Sequence, residues 1–311
     1  MAGPRNLTKV EGSDKLLPRL AQTMDGWRKH DPATSKKLPI GVDIPEWIAN
    51  EGRRRRCEKM MATGDLTLIA FYYLLRVGEY TVKGTRNESK QTQQFRCKDV
   101  TFFARDQHGQ LRQLGRRACD TAFLGAASAT LRIRNQKNGW KNVCINQETN
   151  GQAYCCGLKA LARQYIHIRD NTTCFEEAQE TFLSAYWEAG KRRNITNKDV
   201  SGYLKEAAEA LNYHETRGIH PNNIDTHSLR AGGANALALS GYSDSQIMKM
   251  GRWRSSTFME YIRDELSEYS KGMATKMSRK FTFVNIAGGT AHDVTSAAMI
   301  TPCNTGAAAA A

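Results

Sequence analysis

The chain has 311 residues, and its hydrophobic content of 40% is enough for a packed core, which excludes a disordered protein. Lysine and arginine number 45 against 31 aspartate and glutamate, and the net charge of +14 favours a polyanionic partner, most simply nucleic acid. No apolar run approaches the roughly 20 residues of a membrane helix, and the eight cysteines form no Cys-x-x-Cys pair and no zinc-finger spacing. We therefore expect an intracellular protein with reduced thiols and neither a membrane segment nor a metal site.

Residues 1–60 predict a short helical region ahead of the main domain. The segment IPEWIAN, residues 44–50, opens a helix with Asp43 as its N-cap and Pro45 in its first turn. Four consecutive arginines follow: Arg53, Arg54, Arg55 and Arg56. They are candidates for contacts with a DNA backbone, and a solvated helix face is an equally good interpretation.

An arginine beside a glycine and a glutamate follows the next helix. The apolar stretch DLTLIAFYY, residues 65–73, predicts a buried helix, and it continues into LLRVGEY, residues 74–80. Burying Arg76 is costly unless the side chain is paired. Glu79 is the candidate partner, and a purely structural ion pair is one explanation of the two residues.

The pattern then changes to strands. Residues 99–103, 130–134 and 140–145 have strand character, and the last two are joined by Asn-Gly, a strong hairpin signal. Lys137 lies in that turn, where a lysine is usually just solvated. Amphipathic helices follow at residues 154–170 and 196–211.

The most informative stretch is THSLRAGGANALALSGYSDSQIMKMGRWRSSTFMEYIR, residues 226–263. His227 and Arg230 are three residues apart, so a helix places both on one face, and Asp225, Thr226 or Ser228 could cap that helix. Helix N-termini favour anions. Gly-Arg-Trp at residues 251–253 and then Tyr261 complete a set that suits a phosphate, with guanidinium forks, a titratable imidazole, an indole donor and a phenol nucleophile. Any one of these residues taken alone is more often structural.

The order and spacing of these residues resemble the catalytic half of the tyrosine recombinase (integrase) family. There, His-x-x-Arg is followed by Gly-His or Gly-Trp and then by the nucleophilic tyrosine. The segments HSLRAGGA and GRWRSSTFMEYIR are most similar to recombinases of eukaryotic mobile elements of the DIRS and Crypton type. The resemblance covers roughly residues 65–265. It implies an α+β, mainly α-helical catalytic domain with a small antiparallel sheet, over residues 61–275, between the short N-terminal region and a flexible tail, residues 276–311.

The resemblance also implies a role for each motif residue. LLRVGEY matches the family's first arginine box, so Arg76 and Arg230 would bind the scissile phosphate and Glu79 would orient Arg76 or support the fold. Lys137 would be the general acid, with Lys141 as the fallback, because the family places its lysine on a hairpin. The remaining roles would fall to His227 as general base, Trp253 as a phosphate hydrogen-bond donor and Tyr261 as nucleophile.

The implied activity is cleavage and rejoining of double-stranded DNA through a 3′-phosphotyrosyl intermediate, without metal, cofactor or ATP, by a tetramer assembled on DNA. A nuclear location is implied if the host is eukaryotic. One departure is that Arg252 holds the place directly after the glycine, nine residues before Tyr261, so Arg252 is an alternative to Trp253. Tyr269 is the alternative nucleophile. The competing functions are a non-cutting DNA-binding protein of the same fold, a type IB topoisomerase and a basic structural protein.

Overall fold

The computed structural model describes residues 37–82, 92–134 and 142–253. Helices dominate these ranges. We number the α-helices in chain order: α1 Asp43–Arg55, α2 Glu58–Tyr72, α3 Val77–Tyr80, α4 Asp120–Leu124, α5 Gly157–Asp170, α6 Phe175–Glu180, α7 Asn197–Ala210, α8 Tyr213–Arg217, α9 Thr226–Leu239 and α10 Asp244–Gly251. Short 3-10 helices occur at Cys97–Asp99 and Pro221–Asn223.

The strands form two small antiparallel sheets. Strands β1 Val100–Arg105, β2 Leu111–Gln113, β3 Ser128–Ile133 and β4 Val143–Glu148 make a four-stranded sheet in the order β2-β1-β3-β4. Strands β5 Ala185–Glu188 and β6 Lys191–Asn194 form a separate hairpin. The predicted class, α+β and mainly helical with a small antiparallel sheet, agrees with this architecture.

Helix α2 lies at the centre of the core. Its apolar run is buried on every face, with Leu66, Leu68, Ile69 and Ala70 all at 0% exposure. It contacts α1, α5, α7, α9 and β5. A helix that is apolar all round must be surrounded by other elements, and this packing brings α9 against the end of α2, where Arg76 follows.

The helices predicted from apolar periodicity are confirmed. Helix α5 buries its predicted face, Leu158, Leu161, Tyr165 and Ile168, and α7 buries Val200, Leu204 and Ala207. The predicted N-cap of the first helix is wrong. Helix α1 begins at Asp43 itself, and the Asp43 carboxylate accepts hydrogen bonds from the Tyr213 hydroxyl at 2.7 Å and from Arg217 at 2.8 Å.

The predicted β-hairpin is confirmed in its strands, since β3 and β4 pair antiparallel up to Ile133 opposite Val143. Its turn, residues 135–141, lies outside the described residues. The described residues belong to one compact unit, in which Ile44 and Ile48 of α1 are fully buried. The domain boundaries at residues 60 and 275 stay predictions. Within the described ranges, no helix has the length and apolarity needed to span a bilayer.

Candidate active site

Arg76 is positioned by a tight turn at the end of α2. Leu74 adopts a left-handed conformation, φ +49°, and the Leu75 N–H returns to the carbonyl of Ala70 at 2.9 Å. The chain therefore leaves α2 abruptly and starts α3, with Arg76 just before its first residue. The Arg76 N–H donates to Oε2 of Glu79 at 3.0 Å, so the short helix orients this carboxylate. The arginine side chain is 22% exposed, whereas the glutamate is buried.

Arg230 projects from α9 toward the same turn. Asp225 is the N-cap of α9, and its carboxylate accepts from the His227 N–H at 2.7 Å, as one of the predicted capping alternatives states. Arg230 is only 3% exposed. Its Nη1 donates to the Leu74 carbonyl at 2.5 Å, and its Nη2 donates to the Gly251 carbonyl. His227, one turn earlier, is exposed.

Helix α9 closely approaches both α2 and the segment before α1, because two of its glycines face them. A Cβ added to Gly232 would lie 1.9 Å from the carbonyl oxygen of Ile40, and one added to Gly233 would lie 2.4 Å from that of Phe71. These distances are far below van der Waals contact, so only glycine fits at either position. The two glycines therefore allow α9 to pack closely against its neighbours.

The Gly-Arg-Trp segment folds back on itself at the end of α10. Arg252 takes a left-handed conformation, φ +58°, and the Trp253 N–H returns to the Met248 carbonyl at 3.0 Å. The indole ring lies so close to Gly251 that a Cβ there would be 1.5 Å from a ring atom. The guanidinium carbon of Arg230 sits 4.2 Å from the Trp253 ring centroid, a cation–π contact. The structure thus gives each residue of Gly-Arg-Trp a separate role in how this segment packs.

Arg252, the predicted alternative to Trp253 as a phosphate ligand, is buried. Its side chain is 1% exposed, and Nη2 donates to Oε2 of Glu79 at 2.9 Å and to the Leu74 carbonyl at 3.1 Å. Burial lowers the pKa of Arg252, the Glu79 carboxylate opposes this effect, and nearby Arg76 adds to it. The long-range pair between Glu79 and Arg252 is the main feature that sequence reasoning missed. Its only sequence signal is an unusual arginine next to the motif tryptophan.

We call Arg76, Glu79, Arg230 and Arg252 the arginine cluster. Glu79 Oε1 is 3.5 Å from Arg76 Nη1, so one carboxylate contacts two guanidinium groups, and the Leu74 carbonyl accepts from both Arg230 and Arg252. The cluster holds three cations and one anion. Its excess of positive charge suits an anionic ligand, and a phosphodiester is one of the anions whose geometry matches guanidinium forks.

The remaining predicted site residues belong to the run of four arginines or lie outside the described residues. Lys137, Lys141, Tyr261 and Tyr269 lie outside the described residues. Arg54 and Arg55 pair with Glu51, Arg55 also pairs with Glu206, and Arg53 stacks on the Tyr154 ring at 4.6 Å. Arg56 is exposed at the left-handed C-cap of α1. In the described ranges, no three His, Cys, Asp or Glu side chains are grouped to hold a metal ion.

No protein-family model matches the chain, and no curated protein matches it. Among solved structures, it is similar to a fragment of the Tn1549 transposon integrase in complex with circular intermediate DNA. That match has 14% identity over 80% of this chain and 67% of the integrase chain, with a TM-score of 0.42. The same integrase in complex with transposon right end DNA matches at 12% identity over 80% and 69% of the two chains, with a TM-score of 0.40. A TM-score below 0.5 at such identity is too low to assign a fold or an activity.

Proposed function

We propose that the protein is a DNA strand-breaking and rejoining enzyme of the tyrosine recombinase type. The observation that carries the proposal is the arginine cluster. Its members come from three motifs in two segments that are about 150 residues apart in the chain. Arg252 links them, because it contacts the Glu79 carboxylate beside Arg76 and shares the Leu74 carbonyl with Arg230. The sequence resemblance requires Arg76 and Arg230 to act on one phosphate, and their shared surroundings support that requirement.

The proposed chemistry begins with attack of the Tyr261 phenol oxygen on the phosphorus of a DNA phosphodiester. The bond between phosphorus and the 5′ oxygen breaks as the bond to the tyrosine forms. His227 takes the phenol proton, and Lys137 gives a proton to the departing 5′ oxygen. Because the phosphotyrosyl bond retains the energy of the phosphodiester, a 5′-hydroxyl from another DNA end restores the backbone by the reverse steps, without ATP.

Arg76 and Arg230 would stabilise the negative charge that develops on the non-bridging oxygens, a contribution that often dominates catalysis. A phenol has an ordinary pKa near 10, so its deprotonation needs a base or a cationic surrounding. Exposed His227 at the N-terminal turn of α9 suits the role of base, since it lies on the same helix as Arg230. Trp253 would add an indole donor while its ring packs against Arg230.

The partner that we propose is double-stranded DNA, and the working assembly is a tetramer on that DNA. Joining two duplexes requires two breaks in each, and each subunit offers one nucleophile. The biological role that follows is DNA integration or recombination, as expected for an enzyme encoded by a mobile element.

Burial of the arginines favours a second candidate, a DNA-binding protein that keeps the cluster only for stability. Arg230 is 3% exposed, and its guanidinium is bound to two backbone carbonyls. In the enzyme, this guanidinium must turn toward the phosphate when DNA binds. In the non-cutting protein it stays where it is, so the two candidates differ in whether Arg230 is needed for chemistry.

Replacing the scissile phosphate by a methylphosphonate tests the role of the arginines, since it removes the negative charge that they would stabilise. A protein that binds DNA without cutting it would cleave neither substrate. We expect Arg76→Ala and Arg230→Ala to lose about 100-fold or more in cleavage of ordinary DNA, the scale of one lost transition-state donor. Both variants should recover cleavage on the methylphosphonate. Arg193→Ala, at an exposed site on β6, is the control and should cleave normally. Unchanged cleavage by the Arg76 and Arg230 variants would rule out the proposed site.

A further inference from the structure

A surface cavity that includes no residue of the arginine cluster is lined by two thiols. It has a volume of about 720 Å³, within the range of small-molecule sites. Cys119, just before α4, and Cys174, just before α6, both line it, and both side chains are exposed and unbridged. The walls also include two arginines, Arg117 and Arg169.

Arg117 lies on one side of the cavity and contacts the other. Its guanidinium carbon lies 4.8 Å from the ring centroid of Phe175, the residue after Cys174. Arg117 forms no ion pair with a described residue. Because Arg117 lines the cavity, its charge is available to a ligand bound there.

The second arginine, Arg169, binds the residues on both sides of Cys119. Arg169 donates from Nη1 to the carbonyl of Ala118 at 3.4 Å and from Nη2 to Asp120 at 2.5 Å, the residues on either side of the cysteine. Arg169 also pairs with Asp170. This guanidinium is thus neutralised by carboxylates and acts to hold the Cys119 backbone in place, whereas Arg117 remains the cation for a ligand.

Cys119 has the surroundings of a reactive thiol. Its Sγ is 3.2 Å from the Thr121 hydroxyl. The hydrogen bond from Thr121, and next the backbone N–H of Ala122, lower the pKa of Cys119 below its ordinary value. The thiolate is the nucleophilic form, so more of Cys119 is reactive near neutral pH.

We propose that Cys119 is a modification site for thiol–disulfide exchange with a small, carboxylate-bearing disulfide, seated in this cavity by Arg117. The Cys119 thiolate attacks one sulfur of the disulfide, the disulfide S–S bond breaks, and a new S–S bond joins Cys119 to that half. The other half leaves as a thiolate and takes up a proton from solvent. Cys119 sulfur is oxidised and the leaving sulfur is reduced, so the electrons balance. The cavity accommodates the attached group, and this chemistry is independent of any action on DNA.

Two probe disulfides of opposite charge test the proposal on the full-length chain. Oxidised glutathione carries carboxylates, and cystamine carries only amines. Modification of each cysteine is followed by peptide mapping with mass spectrometry, and Cys144, an exposed thiol on β4, is the internal control. We expect oxidised glutathione to modify Cys119 about tenfold faster than Cys144, the lower end of what a charged cleft provides. With cystamine this preference should fall to near unity.

Matched variants test whether Arg117 is the cation that binds the carboxylate of the disulfide. Arg117→Gln should remove most of the preference for oxidised glutathione at Cys119. Arg116→Gln, which changes a neighbouring arginine that does not line the cavity, should leave the preference intact. Cys174→Ser should still form the mixed disulfide at Cys119. Equal rates at Cys119 and Cys144, an unchanged preference in Arg117→Gln, or a product that links Cys119 to Cys174 would each overturn the proposal.

Discussion

At the scale of single residues, Glu79 determines how the arginine cluster is held. It is fully buried, its carboxylate contacts both Arg252 and Arg76, and its Oε2 also accepts the Arg76 N–H. Removing one member of a buried ion pair leaves an uncompensated charge in a place where water cannot solvate it. The carboxylate is therefore a stability requirement as well as a means of orienting Arg76.

We predict that Glu79→Gln lowers the free energy of unfolding by about 3–5 kcal/mol, the usual loss for one broken buried pair. Urea denaturation at pH 7 measures this change. Adding Arg252→Met to Glu79→Gln should restore part of the loss, since the buried charge is then absent. Glu180→Gln removes a half-exposed carboxylate that pairs with Arg96 and Lys98, and it should cost under about 1 kcal/mol. Equal losses in the two single variants would show that Glu79 does not balance Arg252.

At the scale of elements, the packing of α9 depends on its glycines. We predict that Gly233→Ala destabilises the protein by about 2–3 kcal/mol because the added methyl group meets the Phe71 carbonyl and the Leu74 side chain. Gly202→Ala in α7 is the matched control, since nothing lies within 4 Å of its added Cβ. This second variant should gain about 0.5–1 kcal/mol from helix propensity. Thermal unfolding compares the two, and a stabilised Gly233→Ala would contradict the close approach.

The N-terminus of α7 links this helix to α2 in a pH-dependent way. Asp199 pairs with Lys59 at 2.5 Å and accepts from Thr196 in a capping box. Burial raises the pKa of Asp199, but the bonds from Lys59 and Thr196 outweigh it and hold the pKa below its ordinary value. Because the pKa of Asp199 is lower in the folded chain, its ionised form stabilises the fold at any pH above the unfolded-state pKa of about 4. This stability is lost as the pH falls through the folded-state pKa.

We therefore predict that Asp199→Asn is less stable than the wild type by about 1 kcal/mol at pH 7, the scale of a lost helix cap. The difference should shrink as the pH falls from 5 toward 2. Urea denaturation across that range measures it, and Glu209→Gln on the same helix controls for the loss of one charge. If the difference in the free energy of unfolding between wild type and Asp199→Asn stayed constant with pH, Asp199 would have the same pKa in the folded and unfolded chains.

Local patterns predicted the elements but not the pairs between them. The periodicity of α5 and α7 and the Asn-Gly signal before β4 depend on neighbours in the chain, so they could be predicted from the sequence. The local pattern predicts Asp43 as an N-cap and cannot show its actual partners, Tyr213 and Arg217, because they are 170 residues or more away. The Glu79–Arg252 pair spans 173 residues and was missed for the same reason. That Arg76 and Arg230 act on one phosphate is predicted only through the family resemblance, and it stays a prediction.

At the scale of the whole molecule, the net charge of +14 predicts that DNA binding weakens steeply with salt. Neutralising six or more phosphates would reduce affinity by roughly 10³-fold or more between 50 and 200 mM salt, by release of counterions. Among the four consecutive arginines, Arg56→Gln should reduce the slope of log affinity against log salt by about one if it contacts a phosphate. Arg217→Gln, whose side chain is bound to Asp43, is the control. Fluorescence anisotropy over a salt series measures both, and a slope near zero for the wild type would contradict an electrostatic DNA interface.

The central claim is that the protein breaks DNA through Tyr261, and a covalent trap tests it most directly. The substrate is a pool of nicked duplexes with randomised sequence around the nick, from which the short 5′-hydroxyl fragment diffuses away after cleavage. Wild type, Tyr261→Phe and Tyr269→Phe are each incubated with this pool, and protein–DNA adducts that resist SDS are collected. We predict an adduct with wild type and with Tyr269→Phe, linked through a 3′-phosphate, and none with Tyr261→Phe. An adduct that persists in Tyr261→Phe, or a wild type that binds the pool and forms no adduct, would contradict the claim.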